Sequence, residues 1–415
     1  MNPEPKNVLD PSEFPFERVG ITGATGTVGR QLVKVLLAQC PHVRAIHAPC
    51  RPRAGGAPPR LPASPRLHAP AGELMDPGAL ARLVGETQIV YHLAAWLANV
   101  ALPPLTDVFI LNSLIPGILA RLGADARKPV VFTSSHSVYF AGDYRGRIDE
   151  DSFVFRRDFA GWMDAVREPY GDLIDALAAG RRPFDDAARA VDAIHARHPP
   201  PLAPKIYDRD DYHVYCLTKL LAERLVLERG GVVLRLCNVY GPGDESAQAV
   251  GEACRRILAA DPDVETKVNQ PFKKLVPAYL GDIVRCLVRA STWPRAAGVT
   301  PVFTVASQEH YLREDALLRA VSAGLNRIRG TDRAHRVERL PDEAAPAFSY
   351  ELARMRGQLL PGETLMPFED GVRAQLRWLM DRAAGRPPGD ADLSIAFARP
   401  LTAGRSGGSG TSRRG

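Results

Sequence analysis

Residues 22–29 read TGATGTVG, and this octet limits what the chain can fold into more than any other stretch. Three glycines, Gly23, Gly26 and Gly29, recur at intervals of three. Before them stands the apolar run RVGIT (18–22), which reads as a short buried strand. After them comes QLVKVLLAQ (31–39), whose apolar residues have helical spacing. The first glycine lets the chain turn sharply, the second lets backbone approach a pyrophosphate, and the third lets helix and strand pack closely. The helix start then offers unbonded N–H groups and the positive end of its dipole. The turn therefore predicts a dinucleotide site, with Thr25 and Val28 beside the three glycines. The plain alternative is a glycine-rich strand-to-helix loop with no ligand.

The alternation continues downstream. HVRAIHA (42–48), TQIVYHLAA (87–95) and PVVFTSS (129–135) read as strands. DPGALARLVG (76–85) reads as a helix with Asp76 as N-cap and Pro77 at its first position, and another helix is expected around 107–124. The Pro-, Gly- and Arg-rich residues 49–72 are expected to form a loop. This order predicts an α/β fold, a doubly wound Rossmann-type parallel sheet covered on both faces. Residues 150–205 break the rhythm with charged helical segments ending in PPPLAP, and are read as a helical insertion. The pattern resumes with a helix over 211–228 and the strand GVVLRLC (231–237). The expected divisions are an N-terminal extension (1–17), a dinucleotide-binding domain (18–242), a smaller C-terminal substrate lobe (243–385) and a disordered Gly/Ser/Arg tail (386–415).

Composition narrows the classes. Hydrophobic residues make up 45% and charged residues 24%, which is ordinary for a globular chain. No run of eighteen apolar residues is present, so no membrane span is expected, and the polar first residues lack the apolar core of a signal peptide. Six scattered cysteines without metal-ligand spacing suggest reduced thiols, a cytoplasmic protein and no metal site. The net charge is +6, with Arg405, Arg413 and Arg414 of the tail contributing half, and no basic helix points to nucleic acid.

One asymmetry stands out within that charge. Residues 18–72 contain no acid, yet carry Arg18, Arg30, Lys34, Arg44, Arg51, Arg53, Arg60 and Arg66, which suggests a surface that meets an anion. A site that prefers NAD usually has an acid after the second strand to bond the ribose 2′-hydroxyl. Here Arg51 and Arg53 stand there instead, and an arginine can pair with a 2′-phosphate. NADP is therefore favoured over NAD. The alternative is a pair of solvated loop arginines.

The motifs together resemble the extended short-chain dehydrogenases/reductases, the NAD-dependent epimerase/dehydratase family. They are TGATGTVG (22–29), GELMD (72–76), VYHLAA (90–95), VVFTSSHSVY (130–139), YCLTK (215–219), LRLCNVYGPGD (234–244) and LVPAYLGDIVRCL (275–287), with FEDGVRAQLRWL near the end. The resemblance spans about 18–381 and implies roles by position. Ser135, Tyr215 and Lys219 match the catalytic serine, tyrosine and lysine. Glu73 and Leu74 match the adenine side of the cofactor site, and Ala94 and Ala95 match the strand end beside its ribose. Asn112 and Asn238 match substrate-binding asparagines. The resemblance also implies a homodimer formed through the helices that flank the catalytic segment.

The chemistry stands beside that analogy. Hydride transfer at a carbon bearing oxygen requires a proton to move at that oxygen. A free phenol, with a pKa near 10, is a poor base at neutral pH. In DYHVYCLTK (211–219) a lysine follows Tyr215 by one helical turn, on the same face, and its ammonium favours the phenolate. Ser135 would hold the substrate oxygen, although a strand-end serine is often only a turn residue, and Ser134 and Ser137 compete for the role.

Three departures limit the carry-over. The insertion separates Ser135 from Tyr215, and acts as a lid or as an inert surface excursion. His136 and Ser137 follow Ser135 where sugar-nucleotide dehydratases carry Asp-Glu, which argues against dehydration and leaves His136 as a turn residue. Lys273 and Lys274 stand where epimerases often have an arginine. The expected activity is an NAD(P)-dependent oxidoreductase or epimerase acting on a nucleotide sugar or a small ketone or alcohol. The alternative is a non-catalytic NAD(P)-binding regulator.

Overall fold

In a computed structural model of the chain the glycine turn joins β1 (Arg18–Thr22) to α1 (Thr27–Gln39), as its apolar flanks predict. The structure describes residues 11–51, 61–70, 72, 74, 76–97, 103–141, 146–151, 157–201, 210–245, 248–269, 274–294, 300–333, 335–341 and 348–386. The chain continues through β2 (Ala45–His47), β3 (Leu67–His68), α2 (Pro77–Glu86), β4 (Ile89–His92), α3 (Leu105–Phe109), α4 (Ile115–Asp125) and β5 (Val130–Ser135). Then follow β6 (Gly146–Ile148), α5 (Arg157–Ala178), α6 (Ala187–Arg197), α7 (Asp210–Leu227), β7 (Val232–Leu236) and β8 (Asn238–Tyr240). The remainder is α8 (Ala249–Ala259), β9 (Lys274–Leu275), β10 (Pro277–Tyr279), α9 (Leu280–Ser291), β11 (Val302–Val305), β12 (Leu312–Arg313), α10 (Glu314–Arg329), β13 (Phe348–Tyr350) and α11 (Phe368–Ala383).

Seven strands form one parallel sheet in the order β3-β2-β1-β4-β5-β7-β11. The chain steps outward from β1 to β3, then crosses back to β4. The strand order therefore reverses between β1 and β4, the point at which sheets of this kind bind ligands at their carboxyl ends. The C-terminal stretch is not wholly outside this sheet, because β11 completes it and α9 joins its core. A separate core gathers α8, α10 and α11 around Tyr240 and Tyr279.

Local chemistry explains the element ends. Asp76 accepts a hydrogen bond from the Gly78 N–H (2.8 Å) and caps α2, with a proline in its first turn. The stretch 49–72, expected as a loop, carries β3 at the sheet edge. Ile46, Ala48 and Cys50 donate to the carbonyls of Arg66 (2.7 Å), His68 (2.8 Å) and Pro70 (3.1 Å). An edge strand needs partners on one side only, so a proline-rich segment can serve there.

Four of the eight basic residues of that segment have structural partners. Arg66 donates to the carbonyls of Leu37, Cys40 and Val43 and closes the C-terminal end of α1. Arg18 bonds the Glu86 carbonyl, and Arg44 and Arg30 pair with Glu17 and Glu245. The balancing acids come from outside the segment. The stretch Leu105–Asp125 is long and apolar enough to cross a membrane by composition, but 67% of it is buried in the protein, as befits a core helix.

The insertion is neither a loose excursion nor a free flap. Phe159, Trp162, Val166, Tyr170, Leu173, Ile174 and Leu177 of α5 share one apolar core with α4 and with Leu217, Leu220, Leu221 and Leu225 of α7. At Gly117 of α4, Ile174 and Leu225 come so close that a Cβ there would overlap the Ile174 side chain. The Tyr170 hydroxyl and His195 Nε2 are hydrogen bonded at 2.9 Å and join α5 to α6. The outer faces of α4 and α7 are thus covered by this chain's own helices.

Candidate active site

The phosphate turn has the geometry its glycines demand. Gly23 has φ 70°, and a Cβ there would stand 2.6 Å from the Ala94 nitrogen. At Gly29 a Cβ would overlap the Gly23 carbonyl. The Gly26 N–H donates to the Gly23 carbonyl at 3.0 Å, and α1 starts at Gly26 without a side-chain cap. Thr25 and Gly26 are exposed, while Val28 is half-buried against the core. An uncapped helix start beside glycines that admit no side chain fits a dinucleotide pyrophosphate. Arg30 ties this turn to the loop after β8, donating to the Gly243 carbonyl at 3.1 Å.

Around the cofactor crevice, Arg51 is exposed just beyond β2, Leu74 is half-buried, and Ala94 and Ala95 follow β4 at the switch point. Glu73 and Arg53 lie outside the described residues, as does Lys273. Lys274 sits over the Tyr311 ring at 4.7 Å.

Ser135 ends β5, half-buried, and its Oγ accepts from the Ser137 N–H (3.1 Å) and the Ser137 hydroxyl (2.9 Å). Ser137 is therefore a partner of Ser135 rather than its rival, and the Ser135 proton is left to donate elsewhere. Ser134 points to the other face of the strand and is buried. His136 is bonded to the Tyr350 hydroxyl (3.0 Å), and burial pushes its imidazole down to about 4. It is neutral at pH 7 and ties the end of β5 to β13.

The helix α7 lies against this strand end. The Cys216 thiol donates to the Ser137 carbonyl at 2.9 Å. Lys219 is 2% exposed; its Nζ donates to the Thr133 carbonyl at 2.9 Å and lies 4.7 Å from the centre of the Phe132 ring. Burial pulls Lys219 down to about 7, against the opposing charge of Glu223. Tyr215, one turn earlier, is half-buried and packs on Trp96, Val108 and Val214. Cys216 and Lys219 thus hold α7 against the carboxyl end of β5, the strand that Ser135 terminates.

Asn112 behaves differently from the substrate ligand that the resemblance implies. Its Oδ1 accepts from the Trp96 N–H (2.8 Å), and its Nδ2 donates to the Trp96 carbonyl (3.1 Å) and the Thr218 hydroxyl (3.2 Å). It is completely buried in a π-helical turn, Ile110–Leu114, and Ser113 adds a bond to the Thr218 carbonyl (2.7 Å). Every strong polar group of the side chain is spent clamping the segment after β4 to the catalytic helix. Such turns often mark functional sites. Asn238 Oδ1 accepts from the Val276 N–H at 3.0 Å and so ties β8 to the segment before β10.

Two buried arrangements escaped the sequence. Thr22 Oγ1 and His92 Nδ1 are hydrogen bonded at 2.7 Å, joining β1 to β4 at the switch point. Burial and Lys219 hold His92 down at about 3. A histidine inside the apolar run IVYH was the available signal. The second is an ion pair of Glu223 and Arg235, which a helix-to-strand separation hides in a linear reading.

Comparison with known proteins agrees with this geometry. Residues 21–256, more than half of the chain, match the family model described as male sterility protein, an NAD-binding family. The chain belongs to this family. Its members fall within the extended short-chain dehydrogenase/reductase group, so the domain is an NAD-binding one. A 3 beta-hydroxysteroid dehydrogenase/Delta 5→4-isomerase of Mycobacterium tuberculosis is 24% identical over 309 residues, covering 72% of this chain and 65% of that relative's length. Among solved structures, the UDP-glucuronic acid 4-epimerase of Bacillus cereus, in complex with NAD, superposes with a TM-score of 0.59 at 17% identity, over 92% of this chain and 100% of that one. WbmG of Bordetella bronchiseptica, also with NAD, gives 0.59 at 16% identity, over 94% and 99%.

Proposed function

We propose that the protein is an NAD(P)-dependent oxidoreductase that moves a hydride at a carbon bearing a hydroxyl or carbonyl oxygen, with Ser135, Tyr215 and Lys219 as its reacting set. The observation that carries this reading is Lys219, a buried amine held against the end of β5 on the helix that bears Tyr215, beside a turn built for a pyrophosphate. A bound nicotinamide would supply or accept the hydride. Ser135, whose oxygen already accepts two bonds from Ser137, donates its proton to the substrate oxygen and holds it. Tyr215 exchanges a proton with that same oxygen, giving it up on reduction and taking it on oxidation. Lys219 favours the phenolate through its charge. Ala94 and Ala95 would border the ribose of a bound cofactor and Leu74 its adenine, where the resemblance also puts Glu73.

Arg51 supports a preference for NADP, because it stands exposed beyond β2 where an acid would select NAD. Net oxidoreduction of a small ketone or alcohol is favoured over sugar epimerisation or dehydration. The dehydrogenase relative supports this, and His136, neutral and bonded to Tyr350, supplies no acid for water loss. Self-association through α4 and α7 would meet α5, so a homodimer uses another face. The test is a panel of ketones, alcohols and nucleotide sugars, followed through nicotinamide absorbance. Net NADPH oxidation with a ketone supports the reading. Sugar interconversion with no net cofactor turnover would replace it by epimerisation.

A further inference from the structure

Lys219 faces two opposing demands. It is fully buried, which disfavours the ammonium, yet the ammonium is the form that helps Tyr215. The surroundings contain a carboxylate that answers this conflict. Glu223 follows Lys219 by one turn on the same side of α7 and is also 2% exposed. It does not move freely. Arg235 of β7, 5% exposed, grips it with Nε at 3.0 and 3.2 Å from the two carboxylate oxygens and Nη2 at 2.7 Å.

Arg235 is itself fixed. Its guanidinium lies 4.8 Å from the centre of the buried Tyr139 ring, and the Tyr139 hydroxyl is bonded to Thr304 of β11. In the sheet, Arg235 pairs in register with Ser134, the residue after Thr133, whose carbonyl holds Lys219. The carboxylate of Glu223 is thus gripped from β7 and the ammonium of Lys219 from β5, two neighbouring strands, while both side chains stand one turn apart on α7.

We propose that Glu223 is a positioning residue of this active site, with Arg235 locking its carboxylate where it sustains the charge of Lys219 and, through it, the phenolate of Tyr215. The proposal rests on the Ser135, Tyr215 and Lys219 reading. His92 of β4 also interacts with Lys219, and its imidazole, held at about 3, carries no charge near neutrality; Tyr215 precedes Lys219 by one turn of α7, and Arg235 stands on β7. Fold stability alone does not require the pair, since a buried ion pair is often replaceable by apolar residues of similar volume.

The test needs no substrate. Tyrosinate absorbance of the full chain is titrated against pH, and the curve of Tyr215→Phe is subtracted to isolate Tyr215. Wild-type Tyr215 is expected to ionise below the free phenol. Glu223→Gln is expected to move that ionisation up by about one pH unit or more, because an opposite charge at close range shifts a group by about that much. Glu223→Gln leaves Arg235 buried and unpaired and can fail to fold, so Glu223→Met/Arg235→Met is measured beside it, with an upward shift again expected. A lowered wild-type ionisation that the folded variants leave unmoved overturns this proposal alone. A wild-type Tyr215 that ionises like a free phenol overturns the Tyr–Lys reading and this proposal with it.

Discussion

Replacing Asn112 by alanine separates a positioning role from a substrate-binding one. The side chain makes three bonds, two of them to the main chain of Trp96, a residue 7% exposed. Thr218 keeps its bond to the Tyr215 carbonyl (3.0 Å), so its hydroxyl is not orphaned. The Trp96 N–H and carbonyl lose their Asn112 partner inside the protein. Each buried hydrogen bond lost costs about 1 kcal/mol, so losing the two to Trp96 should destabilise the fold by about 2 kcal/mol. Asn112→Asp retains the acceptor for the Trp96 N–H but buries a carboxylate against the Trp96 carbonyl, so it should cost at least as much as Asn112→Ala. Urea unfolding midpoints at constant slope give both values. Because the clamp joins the segment after β4 to the helix bearing Tyr215 and Lys219, kcat should fall in step with stability. A loss below about 1 kcal/mol, accompanied by a raised KM and an unchanged kcat, would refute the clamp and restore the substrate contact.

Further outcomes follow from other residues. Arg51→Gln should raise the KM for NADPH about tenfold or more and leave that for NADH nearly unchanged, since it removes a charge-assisted contact to the 2′-phosphate only; equal effects on both would contradict the assignment. His136 and His195, held down at about 4 by burial, and His92, held at about 3, stay neutral in the folded chain while the unfolded chain protonates near 6.5. The unfolded state then binds more protons, so Tm should fall steadily as pH drops from about 6.5 toward 4, and a flat Tm there would refute the burial of these rings. Gly117→Val should force Ile174 away from α4 and loosen α5, read as faster proteolysis within the insertion; unchanged cleavage would mean that the insertion is not held at this contact.

What could be read from the linear sequence follows the physics of each signal. Periodicity and the glycine turn located the strands and helices of the parallel sheet, because burial on both faces leaves apolar runs that local pattern reports. β1, β5 and α2 begin within a residue of the expected positions. β3 was hidden because two paired residues at an edge leave no periodic trace in a Pro- and Arg-rich stretch. The i,i+4 spacing of Tyr215 and Lys219 was visible, but the bond from Lys219 to Thr133 was not, since it joins residues far apart in the chain. Asn112 matched a motif by type, while its role depended on where Trp96 and Thr218 came to lie. The acid-free segment was visible as a count, but the destinations of Arg18, Arg30, Arg44 and Arg66 lay in tertiary contacts.

The central claim is that Tyr215 moves the proton that accompanies hydride transfer. Tyr215→Phe removes one oxygen from a half-buried ring and leaves the phosphate turn, Ser135 and Lys219 in place. The decisive measurement is kcat for NADPH oxidation with the best ketone of the panel, alongside the Kd for NADPH by fluorescence titration, in wild type and Tyr215→Phe. The account predicts a loss of about 10²–10⁴ in kcat with the cofactor Kd unchanged within a few fold. Turnover by Tyr215→Phe at the wild-type rate would contradict it.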